Sequence, residues 1–216
     1  MNKLNSALLI FILVSILDII GILFRIPILV QIFKPFILLS LIALYSLSVS
    51  EKNKVYIFAL VFSFFGDVFL MFEGEQFFII GLVSFLIAHI LFIKIVIERI
   101  RNLSISKIAF ASIPFLLIFG LIIYTLKDTL NEMLIPVMVY GLTIATFGTV
   151  SMIQFSISKS KRDLLMLNGA VVFMISDSVL AINKFLEPQH IFEVLVMVTY
   201  VLSQYLIYRS MAIDKD

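Results

Sequence analysis

Eight apolar runs, each long enough to cross about 30 Å of hydrocarbon as a helix, follow one another with only short polar breaks. They fall at 6–24, 28–49, 55–72, 77–97, 107–126, 133–157, 164–186 and 190–210. A backbone in lipid must satisfy its own hydrogen bonds, so runs of this length are expected to be helices. The chain is 62% hydrophobic and 14% charged, against roughly half and a quarter in soluble domains, which excludes a water-soluble fold. The expected fold class is all-α: a polytopic transmembrane bundle of eight helices forming a single domain over 1–216. No break has the length of a separate soluble domain.

Eight spans leave both termini on one side. That side collects 12 of the 16 Lys and Arg: Lys3, Lys52, Lys54, Lys94, Arg99, Arg101, Lys107, Lys159, Lys161, Arg162, Arg209 and Lys215. Arg25, Lys34, Lys127 and Lys184 fall on the other. The positive-inside rule then predicts an inner-membrane protein with both termini cytoplasmic. Lys3 before an apolar run resembles a signal peptide, but no A-x-A-like cleavage site follows and Asp18 interrupts the run, so the first helix is expected to be retained.

Asp67 and Asp177 are the most informative residues inside these runs. They lie in similar settings, Gly66-Asp67-Val68-Phe69-Leu70 and Ser176-Asp177-Ser178-Val179-Leu180. A carboxylate at membrane depth costs several kcal/mol unless it is neutral, paired or wetted, so each is a functional-site hypothesis. A shift of 110 residues places Asp67 on Asp177, Leu70 on Leu180 and Gly66 on Ser176. Four helices preserve direction, so one reading is two parallel four-helix repeats, about 1–105 and 106–216. Loose alignment of Phe-, Ile- and Leu-rich helices is the other.

Other polar residues fall in the same layer of the bilayer: Asp18, Lys34, His89, Tyr140, Tyr200 and Gln204. Spacings of seven, four and four put Glu193, Tyr200, Gln204 and Tyr208 on one face of the last helix, and Ser63 shares a face with Asp67. Gly81, Ser84 and Ala88 permit close helix approach beside His89. Lys34 has two readings, snorkelling to the interface or pairing inward with Asp18 or Asp67. Interhelical hydrogen bonding explains Tyr140, Tyr200 and Gln204 as well as a binding role does. Pro35, Pro114 and Pro136 are expected to kink or start helices.

Several chemistries are disfavoured. With only His89 and His190 as histidines and no Cys, the ligand set of a catalytic zinc is missing. No G-x-S-x-G elbow, P-loop or dinucleotide fingerprint occurs. No basic patch interleaved with aromatics points to nucleic acid. What remains is carboxyl acid–base chemistry, in which one Asp holds a proton as acid and the other stays ionised.

Taken in order, Lys34-Pro35, Gly66-Asp67-x-x-Leu70, Ala88-His89, Tyr140, Asn168-Gly169-Ala170 through Ser176-Asp177, and Tyr200 through Gln204 resemble the motifs of the lysoplasmalogenase (YhhN-like) family of eight-span membrane proteins. Nearby positions depart from the family by substituting Ile, Phe and Ser, and Asp18 matches no family motif. The resemblance implies hydrolysis of the vinyl ether bond of lysoplasmalogens to a fatty aldehyde and a glycerophospho-base, without cofactor or metal. It implies a lysophospholipid substrate drawn from the lipid bilayer and no nucleic-acid partner; it leaves oligomeric state open. Asp67 and Asp177 would be catalytic, one as proton donor and the other as stabiliser of the cation. Lys34, His89, Tyr140, Asn168, Ser176, Tyr200 and Gln204 would bind substrate or support the carboxyls. The rival is a small-solute or proton-coupled transporter, since parallel repeats with midplane carboxylates fit that class too; a non-catalytic lipid-binding protein is a third reading.

Overall fold

A computed structural model describes residues 3–101 and 104–213. Lys215, counted above on the cation-rich side, lies outside the described residues. Eight α-helices account for nearly all of the chain: α1 (Lys3–Leu23), α2 (Pro27–Ser48), α3 (Lys54–Phe69), α4 (Glu75–Ile97), α5 (Ile105–Leu126), α6 (Leu134–Ser158), α7 (Lys161–Phe185) and α8 (His190–Ala212). A 3-10 turn, Asn131–Met133, leads into α6. All except α3 are long and apolar enough to cross a membrane, which makes this a multi-pass membrane protein.

The sequence marks most helix boundaries. Pro27 opens α2 at a position whose N–H needs no helical partner. Asn53, Ser104 and Ser160 cap α3, α5 and α7 by accepting from the backbone N–H groups of Tyr56, Lys107 and Asp163. Lys159 ends α6 in the left-handed conformation. The apolar run expected at 55–72 is realised differently from the others. Helix α3 has 16 residues, and Met71 and Phe72 continue it in tight turns, donating to the carbonyls of Val68 and Phe69. Charged Glu73 and Glu75 flank the reversal at Gly74, whose φ of +118° only glycine adopts without strain.

The helices form two compact units, Met1–Ala88 with Met211–Asp216, and His89–Ser210. In the first, α2 packs against both α1 and α3. Its core is apolar, with Leu38, Leu41, Leu44 and Leu60 fully buried and Tyr45 meeting Tyr56 edge to face at 4.7 Å. In the second, α6 packs against α5 and α7. Phe92 stacks on Phe147 at 5.5 Å, and Phe173 is buried beside them. Outward faces carry exposed Leu, Ile and Phe throughout, as a lipid-solvated exterior requires.

Most hydroxyls in the helices turn inward on their own backbone. Ser15, Ser40, Ser84, Thr125, Thr143 and Ser178 each donate to a carbonyl three or four residues earlier. Ser176 is different: its Oγ bridges to the carbonyl of Val196, 2.9 Å away on α8. That bond and Gly169 hold α7 to α8. A Cβ on Gly169 would stand 2.6 Å from Ile207 Cγ1, 3.2 Å from its backbone N and 3.3 Å from the Ser203 carbonyl. The side chain can rotate away, but the backbone atoms cannot. Gly169→Ala is therefore expected to destabilise the protein by roughly 1–3 kcal/mol, the usual cost of overpacking, read as a lower melting temperature in detergent. An unchanged melt would show that α8 shifts freely.

Candidate active site

Tyr140 and Asp177 meet in the second unit. The Tyr140 hydroxyl donates to Asp177 Oδ2 at 2.6 Å, joining α6 to α7. This lies at the short end of the range for a hydrogen bond between two oxygens. It occupies one carboxyl oxygen and leaves Oδ1 for chemistry. The pair lines a cleft of about 50 Å³ between α5, α6 and α7, walled by Phe119, Ile122, Val137, Ile144, Met174 and Ala181 among others. Ser178 also lines it, but its hydroxyl is spent on the Met174 carbonyl. The chemistry in the cleft thus rests on one carboxyl and one phenol in an apolar wall. The volume admits a few waters or the end of a hydrocarbon chain.

The phenol is held from behind. His89 is fully buried on α4 and meets Tyr140 edge to face at 5.7 Å, Phe173 at 4.4 Å, Phe147 at 5.9 Å and Phe92 at 6.1 Å. Phe173 continues the contact to Tyr200 of α8 at 5.6 Å. His89, Tyr140 and Tyr200 therefore belong to one aromatic cluster, with Phe173 as the link that the polar pattern of the sequence does not reveal. Such a cluster fixes the direction of the phenol and so of the carboxyl it binds.

The remaining predicted residues are placed differently. Gln204, one turn beyond Tyr200, is fully buried, and neither its amide nitrogen nor its oxygen has a hydrogen-bond partner among the described residues. Ser176 is the α7–α8 bridge described above, so its proton is already committed. Asn168 is exposed and stands nine residues, or about 14 Å of helix rise, from Asp177. Glu193, expected on the buried face of the last helix, is instead exposed in its first turn, 3.2 Å from His190. Helix α8 starts only at His190, and its opening turn lies beyond the packed region.

In the first unit, Asp67 is buried near the end of α3, on the same face as buried Ser63. A Cβ on the preceding Gly66 would stand 2.5 Å from the Phe85 ring, so the glycine admits α4 closely beside the carboxylate. Asp18 on α1 is fully buried, and neither oxygen accepts a hydrogen bond among the described residues. Its charge interacts with that of Lys34, which is half-buried on α2.

A second polar cluster escaped the sequence reading. Asp163, in the first turn of α7, accepts from Arg99 Nη1 at 3.3 Å, Gln154 Nε2 at 2.9 Å and Ser160 Oγ at 3.0 Å. The Ser160-x-x-Asp163 spacing, a capping box in form, is the one signal that could have located it.

The family model of YhhN matches residues 29–211. Human lysoplasmalogenase TMEM86A is 28% identical to this chain over 160 residues, covering 68% of the chain and 61% of that protein. The Bos taurus lysoplasmalogenase TMEM86A is 27% identical over 160 residues, with the same coverage. The chain spans about six tenths of the length of these curated relatives. No solved structure matches it. The family match begins in α2, so Asp18 lies ahead of it, whereas Asp67, His89, Tyr140 and Asp177 lie within it. Extending over seven of the eight helices, the match makes this chain a member of the YhhN family.

Proposed function

We propose that this protein is an integral-membrane hydrolase that cleaves the vinyl ether bond of lysoplasmalogens, releasing a fatty aldehyde and a glycerophospho-base. The observation that carries this reading is the 2.6 Å Tyr140–Asp177 pair in an apolar cleft. The name of the TMEM86A relatives supports it, as does the cleft's fit to a hydrocarbon chain. The cation bias supports an inner-membrane protein with cytoplasmic termini.

Cleavage of an enol ether begins with proton transfer to its β-carbon. In this reading a proton on Asp177 Oδ1 moves to that carbon, and the adjacent carbon becomes an oxocarbenium ion. Tyr140 holds the carboxylate left behind through Oδ2. That anion then takes a proton from the water that adds to the cation. The resulting hemiacetal collapses to aldehyde and alcohol, so no redox partner is needed. In this reading Asp67, the other carboxylate singled out by its sequence setting, stabilises the cation and orients the water.

The test is aldehyde release by the purified protein in detergent, offered a lysoplasmalogen or its saturated ether analogue. Aldehyde from the vinyl ether alone is expected. Asp67→Asn should reduce turnover at least about 100-fold, the lower range for loss of an acid–base group, with an unchanged melting temperature. Uptake of an unmodified solute into sealed vesicles, with no aldehyde, would replace this reading by transport.

A further inference from the structure

A larger groove in the second unit has no place in that reaction. It has a volume of about 470 Å³ and lies between the end of α4 and the start of α5, with α6 as its floor. Ile97, Ile100, Ile108, Leu116, Val150 and Ile153 supply most of its wall. Three hydroxyl residues also line it, but Ser112, Thr146 and Thr149 donate to the carbonyls of Ala109, Leu142 and Ala145 at 2.8–2.9 Å. With their protons spent, the groove offers a polar solute little to bind, while a hydrocarbon chain fits it.

Helix phase separates the groove from the catalytic cleft. Thr149 follows Tyr140 by nine residues, or two and a half turns, and so lies on the opposite face of α6. Along α6 the groove runs from Ala145 to Ile153, about 12 Å of rise. That is close to the depth of one leaflet, half of a hydrocarbon core of about 30 Å.

The mouth is basic. Arg101 follows Ile100 in sequence, Lys107 precedes Ile108, and both are exposed. Between them α5 begins at Ile105, so the positive end of a 22-residue helix adds to the two cations. An apolar groove of leaflet depth beneath a cationic rim matches a lipid with an anionic head group. We propose that this groove binds one anionic phospholipid of the surrounding bilayer, with a chain along α6 and its phosphate at Arg101 and Lys107.

Native mass spectrometry of the delipidated full-length protein tests this, with phosphatidylglycerol and phosphatidylcholine of identical chains as probes. The wild type is expected to retain one phosphatidylglycerol in preference to phosphatidylcholine, by about fivefold for each engaged cation. Arg101→Gln with Lys107→Gln should abolish the preference. Thr146→Phe, which fills the groove from its exposed floor, should remove both adducts; Ser112→Phe serves if that variant is not monodisperse. None of these residues lines the catalytic cleft, so aldehyde release should persist in all of them. Equal retention of the two lipids by wild type, or an unchanged preference in the double variant, would overturn the assignment. So would retention of the adduct by a monodisperse groove-filled variant. These outcomes are independent of whether the protein cleaves a vinyl ether.

Discussion

Asp177→Asn is expected to lower aldehyde release from a lysoplasmalogen by roughly 10²–10⁴-fold, the range spanned by a positioned general acid or base. The amide keeps the size of the carboxyl and an oxygen that can accept from Tyr140, so the α6–α7 contact should survive. What it lacks is a proton acidic enough to reach the β-carbon. Melting temperature in detergent should therefore stay close to wild type while turnover collapses. Tyr140→Phe removes only the hydrogen bond to the carboxylate left after proton transfer. A bond to a charged group is worth about 1.5–3 kcal/mol, so a fall of roughly 10–100-fold is expected. The His89 ring, itself packed on Phe173, would still meet the phenyl group, which keeps the two losses distinct. Near-normal aldehyde release by Asp177→Asn would rule out this carboxyl as the acid.

Asp163→Ala should produce the opposite phenotype, a large loss of stability with little change in turnover per folded molecule. Its side chain is 6% exposed and that of its partner Arg99 13%. Removing it takes away the acceptor shared by Arg99, Gln154 and Ser160 and leaves the cap of α7 incomplete. Breaking a buried pair costs about 3–5 kcal/mol; the partial exposure of Arg99 places this case near the lower end, at about 3 kcal/mol. Asp163→Asn, which still accepts from Gln154, should cost less. Gln154 stands 14 residues beyond Tyr140 on α6, about 21 Å of rise, so the site itself should be undisturbed. A thermal melt read beside aldehyde release separates the two effects. A drop in turnover equal to that of Asp177→Asn, without loss of stability, would place Asp163 in the reaction instead.

The number and limits of the helices were legible because hydrocarbon enforces a simple rule: an apolar run of about 20 residues must hydrogen-bond within itself. All eight runs match their helices to within three residues. Helix α3 ends three residues before its run, where the chain turns toward the reversal at Gly74, which a hydropathy count does not weigh. Depth alone put His89, Tyr140, Asp177 and Tyr200 in one layer with Asp18, Lys34, Asp67 and Gln204, and could not say which of them meet. Tyr140 and Asp177 are 37 residues apart, and only helix packing brings them to 2.6 Å. Phe173, the ring that ties His89 to Tyr200, carries no polar atom to mark it in the sequence. Asp163 was hidden by its place at a helix end, where an acidic residue usually has no need of a partner.

The self-bonded hydroxyls of the helices carry a wider consequence. A Ser or Thr whose proton closes onto its own backbone is electrically quiet and presents its neighbours with little more than a small apolar bump. Much of the polarity spelled in this sequence is thus insulated from the lipid and from any ligand. The points that stand out include a carboxyl and phenol in one cleft, a bridging serine, a buried amide with both ends open and a buried carboxyl on α1. Letter counts therefore overstate how polar this protein is to a molecule moving through its interior, and the sparse contrast that remains is what such a molecule would sense.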